Sequence, residues 1–93
     1  MIRSFSCAET EKIWNGKRSK AFPGNIQSRA LRKLRMIHAS RSVTDLKNPP
    51  GNRLENLSGD RKGQKSIRIN DQWRICFVWK NDDAHDVAIV DYH

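Results

Sequence analysis

The sequence predicts an α+β fold in which an N-terminal strand and two helices pack on a mostly antiparallel sheet of about four to five strands. Three observations carry this prediction. Apolar residues recur at helical spacing in residues 24–42 and alternate with polar residues in 66–80. The predicted order is one strand, two helices and then four strands, which is typical of the α+β class. A chain of 93 residues suits one core, so residues 1–93 are interpreted as a single domain.

The first half of the chain is predicted to hold one strand and both helices. Residues 1–7 alternate apolar and polar side chains, which indicates a short strand. Residues 8–17 fit a short helix that ends at Gly16. The long helix over 24–42 has one apolar arc and an opposite basic arc, which suits a solvated face but also docking on a partner or RNA. That basic arc consists of Arg29, Arg32, Lys33 and Arg35.

The second half is predicted to be a series of strands. Residues 53–57 form a short strand after a connector that two prolines and a glycine keep from being helical. Residues 66–69 and 73–80 follow as a hairpin, residues 81–85 as an acidic turn, and 86–93 as the last strand.

The hairpin register places two arginines opposite each other. A three-residue loop over 70–72 pairs Arg68 with Arg74 and keeps the apolar residues on one face, whereas a two-residue loop would mix the faces. Like charges directly opposite each other destabilise a sheet, and an anion bound between them makes their contribution to stability favourable. Arginine forks suit phosphate oxygens. Two solvated arginines, or arginines paired with a carboxylate such as Asp91, explain the pattern as well.

The composition indicates a polyanionic partner. The net charge is +8 and the pI about 10.1, values that suit binding to nucleic acid, a ribosome or an acidic protein. Cys7 and Cys76 are expected to be free thiols, and the spacing of cysteines and histidines predicts no metal site. No apolar run approaches the about 20 residues that span a bilayer, and the N-terminus lacks a signal-peptide pattern. The expected location is the cytoplasm.

The last three residues, Asp91, Tyr92 and His93, combine an acid, a phenol and an imidazole. Histidine ordinarily titrates near neutrality, and a nearby carboxylate favours its charged form. Together with Arg68 and Arg74 they supply what RNA cleavage needs without a metal. One group accepts the 2′-hydroxyl proton, cations stabilise the phosphorane and an acid protonates the leaving oxygen. From spacing alone, a frayed polar terminus is the simpler interpretation.

The segments "NRLENLSGDRKGQKSIRINDQWRICFVW", "VDYH" and "MIRSF" resemble the HigB toxins, or plasmid maintenance system killer proteins, of the RelE-like superfamily. The resemblance covers the chain essentially end to end and implies a RelE-like fold. It implies a ribosome-dependent endoribonuclease that cuts mRNA in the ribosomal A site, without a cofactor, leaving a 2′,3′-cyclic phosphate and a 5′-hydroxyl. It also implies neutralisation by a HigA-type helix-turn-helix antitoxin, through which the toxin meets operator DNA indirectly.

The resemblance also implies residue roles. Arg68 and Arg74 would hold phosphate, while Asp91, Tyr92 and His93 would form the catalytic group. His93 would transfer a proton, Asp91 would orient it or share that role, and Tyr92 would position the RNA. Four further residues would contact mRNA or ribosomal RNA: Arg53, Arg61, Lys62 and Lys65.

Two departures from the family pattern predict a weak or slow toxin. Glu55 stands where some relatives have histidine, and Ser58 where many have lysine. Glu55 is a possible accessory base, but a structural role is favoured. The alternative function is a non-catalytic basic module that inhibits translation by occupying the ribosome or an acidic partner.

Overall fold

The computed structural model describes residues 1–91 and confirms the α+β class. In this part of the chain two α-helices pack on a four-stranded antiparallel sheet whose strands follow chain order. The helices are α1 (Ala8–Trp14) and α2 (Gly24–Ala39), and the strands are β1 (Glu55–Asn56), β2 (Lys65–Arg68), β3 (Trp73–Lys80) and β4 (Asp83–Asp91). Short 3₁₀ helices span Val43–Lys47, Pro50–Asn52 and Gly59–Arg61.

The core lies between the helices and one face of the sheet. Side chains of α2 at helical spacing are buried against alternate residues of β2, β3 and β4, as the two periodicities predict. The principal contributors are Ile26, Ala30, Leu34, Ile37, Ile67, Ile75, Phe77 and Val87. The described helices are too short or too polar to cross a membrane.

The predicted N-terminal strand is wrong in extent. Residues 1–6 run parallel to β4 but form only two isolated bridges, Ile2 with Ala84 and Phe5 with Val87. Between them Asp86 has a left-handed φ of 54°, and its N–H donates to the Ser4 hydroxyl rather than to a backbone carbonyl. This irregularity interrupts the ladder, because a continuous ladder needs regular backbone donors and acceptors.

The predicted acidic turn over 81–85 is too long. Only Asn81 and Asp82 form the turn, with φ of 54° and 62°, and β4 already begins at Asp83. Two left-handed residues make the tight turn that suits strand twist, and Asn and Asp tolerate this conformation. His85 therefore lies in β4 opposite Val78.

Candidate active site

The predicted hairpin register is confirmed. Arg68 lies opposite Arg74, and Ile67 lies opposite Ile75. The isoleucines face the helices, so alternation directs both arginines to the other face of the sheet. The sequence pattern alone was sufficient here, because a shift of one residue would have exposed every core side chain of β2.

Arg74 is held in one orientation by the protein. Its side chain is buried, and the residue is only 6% exposed. The Nε–H donates to the Ser66 hydroxyl at 2.8 Å, and Nη2 donates to the carbonyl oxygens of Arg53 at 2.5 Å and Ser66 at 3.3 Å. A buried guanidinium without such acceptors would strongly destabilise the fold. These acceptors make Arg74 a preorganised cation.

Glu55 lies beside Arg74 on the same face of the sheet. Its carboxylate is 3.9 Å from Arg74 Nη1, and its side chain is 48% exposed. This distance is that of an ion pair without a hydrogen bond. The geometry therefore fits Glu55 as a partly solvated counter-ion on the arginine face.

Arg68 has a different environment from Arg74. It forms an ion pair with Asp71 of the hairpin loop, whose side chain is 97% exposed. Exposed ion pairs contribute little stability, because water and salt screen them. The ion pair between Arg68 and Asp71 therefore costs little to break. The sequence analysis did not identify Asp71 as a partner of Arg68, although its position in the three-residue loop made the pairing available.

The loop over 59–65 carries three of the predicted RNA contacts. Gly59 and Gly63 have φ of 65° and 92°, which side-chain-bearing residues rarely adopt, so they let the loop turn back to β2. Arg61 Nη1 donates to Gln64 Oε1 at 3.2 Å, and Lys65 Nζ donates to Asn56 Oδ1 of β1. Lys62 is exposed, as is Arg53 before β1.

Charges from this loop and from the arginine face both affect the pKa of the Cys76 thiol. Burial raises that pKa, and the charges of Arg61 and Arg74 oppose the rise. Arg61 therefore acts electrostatically on the same buried thiol as Arg74. Cys76 and Cys7 are free thiols in the described chain, as predicted.

Asp91 is the last residue of β4 and the last of the predicted catalytic residues that the structure describes. It pairs across the sheet with Trp73, while Val90 is the partner of Arg74. Paired residues point to the same side, so Asp91 belongs to the Trp73 side. Gln72 Nε2 donates to Asp91 Oδ2 at 3.2 Å. The other predicted catalytic residues, Tyr92 and His93, lie outside the described residues.

Two buried polar residues near Arg74 were not predicted from the sequence. Ser66 is fully buried and holds Arg74, and Asn52 is fully buried in the loop before β1. Ser66 occupies a polar position of the alternating strand, so nothing in the sequence marked it as buried. The surrounding "NPPGN" resembles an ordinary turn, so nothing in the sequence marked Asn52. Within residues 1–91, no group of three or more His, Cys, Asp or Glu side chains could hold a metal ion.

Comparison with solved structures found a chain of the same fold. The YoeB–YefM complex from Staphylococcus aureus contains a chain that superposes with a TM-score of 0.61 at 17% identity, covering 100% of this chain and 98% of that one. The family is shown by sequence. Residues 4–93 match the model of the HigB-like toxins, described as the RelE-like toxin of the type II toxin-antitoxin system HigB, and the chain belongs to that family.

Two relatives illustrate the range of similarity. Toxin HigB-1 of Vibrio cholerae serotype O1 is 44% identical over 63 residues, which cover 68% of this chain and 66% of the relative. Endoribonuclease HigB of Proteus vulgaris is 30% identical over 93 residues, covering both chains completely. The resemblance seen in the sequence motifs is therefore confirmed at the level of family and fold.

Proposed function

We propose that this toxin is a ribosome-dependent endoribonuclease that inhibits translation by cutting mRNA in the ribosomal A site. The observation that carries the proposal is the pair of facing arginines, one of them buried and oriented by three hydrogen bonds. Family membership in the HigB-like toxins and the name of the Proteus vulgaris relative, an endoribonuclease, support the same activity.

In this mechanism the arginines stabilise negative charge on the phosphate, and the C-terminal residues transfer protons. Arg74 presents a fixed cation to the scissile phosphate and stabilises the phosphorane, because a preorganised donor needs no rearrangement during reaction. Arg68 exchanges Asp71 for a phosphate oxygen and binds it bidentately. Arg53, Arg61, Lys62 and Lys65 bind the RNA backbone and add sequence-independent affinity.

The proton transfers are assigned to the end of the chain. His93 exchanges protons with the 2′-hydroxyl or the leaving oxygen, because an imidazole is effective as acid or base near neutral pH. Asp91 orients His93 or shares its role, and Tyr92 positions the RNA by stacking or hydrogen bonding. No metal ion takes part. Glu55 acts as a counter-ion of Arg74 and is secondary as a base.

The partners of the proposed activity follow from the family. The toxin is expected to be neutralised by a HigA-type antitoxin with a helix-turn-helix domain, and to meet operator DNA only through that complex. Ribosome and mRNA place its action in the cytoplasm.

A second function, translation inhibition by occupancy, is favoured by one observation. The net charge of +8 is sufficient for non-specific attachment to RNA. A basic module of this kind would bind the ribosome or an acidic partner without chemistry.

Primer extension on a reporter mRNA in translating ribosomes separates the two functions. The intact toxin is compared with a variant lacking His93, and naked mRNA serves as the control for ribosome dependence. We expect discrete cuts only on ribosomes, lost without His93. Stalled translation with uncut mRNA, unchanged by removal of His93, would favour occupancy over cleavage.

A further inference from the structure

Two sets of polar contacts, joined only through the backbone between Asn52 and Arg53, connect α2 with Arg74. The first joins Lys33 on α2 to Asn52 in the loop before β1. The second joins the Arg53 carbonyl of that loop to the guanidinium of Arg74, which Ser66 holds from β2. Three elements distant in sequence therefore meet at one charged group.

Ser66 controls the plane of the guanidinium. Its hydroxyl accepts from Arg74 Nε at 2.8 Å and its carbonyl oxygen accepts from Nη2 at 3.3 Å, so one residue binds two donors on the same edge of the fork. Bidentate contact fixes rotation about the last torsion of an arginine, which a single contact leaves open. The remaining nitrogen, Nη1, is then directed toward Glu55 at 3.9 Å.

Asn52 controls the carbonyl that completes this arrangement. Arg53, whose oxygen accepts from Arg74 at 2.5 Å, has a left-handed backbone with φ of 45° and ψ of 58°. Non-glycine residues adopt this conformation mainly where the surroundings impose it. The preceding Asn52 side chain, fully buried, donates to the carbonyls of Leu46 and Asn48 at 3.2 Å each and accepts from Lys33. It thereby anchors the loop from which the Arg53 carbonyl projects.

We propose that Ser66 and Asn52 are positioning residues that set the orientation of Arg74 and thereby control how this cation meets the scissile phosphate. The inference rests on the proposed function, because it assigns Arg74 to that phosphate. A small misplacement of a positioned group can reduce a rate by about 100-fold, so the orientation of Arg74 matters beyond its presence.

The orientation of Arg74 can be measured without any cleavage assay. In ¹⁵N-labelled protein the Nε–H signal of Arg74 is assigned by its loss in Arg74→Lys, and its exchange with water is then followed by NMR. We expect Ser66→Ala to accelerate that exchange by at least about tenfold, because the Nε–H loses its buried acceptor. Ser66→Thr keeps the hydroxyl and should keep the exchange slow.

Ser40→Ala is the matched control. Ser40 is also a buried serine, and its hydroxyl donates to the Met36 carbonyl at 2.8 Å at the end of α2, away from the contacts of Arg74. Asn52→Asp keeps size and acceptor but removes the two donors that anchor the loop. We expect it to change the Arg74 signal in the same direction as Ser66→Ala but less, while Ser40→Ala leaves it unchanged.

Kinetics then connect orientation to chemistry. On ribosome-bound mRNA we expect kcat to fall by about tenfold in Ser66→Ala and to recover in Ser66→Thr, with KM changed less, since one hydrogen bond to a charged group is lost. Unchanged Arg74 exchange in Ser66→Ala, or an equal loss of kcat in Ser40→Ala, would overturn the inference. A wild type that cuts no mRNA while its Arg74 signal responds to Ser66→Ala would overturn the proposed function and leave the orientation of Arg74 established.

Discussion

Arg68 and Arg74 lie opposite each other in the β2–β3 hairpin, yet their burial and their hydrogen-bond partners differ. Arg74 is buried and donates hydrogen bonds to Ser66 and to the Arg53 carbonyl. Arg68 is partly exposed and pairs with the solvated carboxylate of Asp71. The hairpin register places both side chains on the same face of the sheet. The loop that contains Arg53 then holds Arg74 in place, whereas Arg68 pairs with an exposed carboxylate that another anion can replace. A preorganised cation suits transition-state stabilisation and an adaptable one suits binding.

Replacing the fixed cation should have the largest effect. We expect Arg74→Gln to lower kcat by about 100-fold or more, the usual cost of losing a preorganised donor. It should also reduce the free energy of unfolding by about 1–3 kcal/mol, because Ser66 and the Arg53 carbonyl lose a buried partner. Primer extension and thermal melting measure the two effects. A stable Arg74→Gln protein with full activity would contradict the comparison.

Replacing the adaptable cation should affect binding more than rate. We expect Arg68→Gln to raise KM by about tenfold, as one charged contact to phosphate is worth about that factor, with kcat and melting temperature nearly unchanged. The same primer-extension series gives both constants. If Arg68→Gln lowered kcat and stability as much as Arg74→Gln, the distinction between the two sites would be lost.

Adding a cation at Ser58 tests why the toxin is expected to be slow. Ser58 is exposed before the 3₁₀ helix Gly59–Arg61, at one of the two positions where the sequence is expected to depart from the family pattern. We expect Ser58→Lys to raise the cleavage rate a few-fold, because an additional charge near the phosphate stabilises the transition state. A lysine introduced at Thr44, which is exposed in another 3₁₀ helix, controls for net charge. Equal rates in Ser58→Lys and wild type would count against this explanation.

The smallest expected effect concerns the dependence of stability on pH, at ion pairs that do not include Arg68 or Arg74. Hydrogen bonds from the Met1 ammonium and from Arg3 hold the pKa of Asp83 below its ordinary value. A carboxyl with a lowered folded-state pKa stabilises the fold above its unfolded pKa, near 4, and loses this contribution as pH falls through the folded value. Asp83→Asn should therefore melt lower than wild type at pH 7 and approach it in acid. Parallel melting curves from pH 7 to pH 2.5 would show whether the two proteins converge.

Much of the fold and part of the site followed from local sequence patterns. Alternation in β2 and β3 has a period of two, so only odd loop lengths keep the apolar residues on one face, and the three-residue loop predicted among them places Arg68 opposite Arg74. The apolar arc of α2 likewise predicted which of its side chains are buried. The family resemblance added residue roles, all of which remain predictions.

Tertiary structure alone decided how the site is assembled. The contacts that hold Arg74 come from Ser66 and from the loop that contains Asn52 and Arg53. They depend on how this loop packs against the sheet and not on any sequence periodicity. The side of the sheet to which Asp91 belongs depends on the irregular pairing between Cys76 and Val78, which a strict count from the turn misses. The sequence by itself determined both helices, the hairpin register and the family, because these depend on local spacing. Burial and partner choice of each cation required the packed fold, because hydrogen-bond acceptors for a buried charge come from distant parts of the chain.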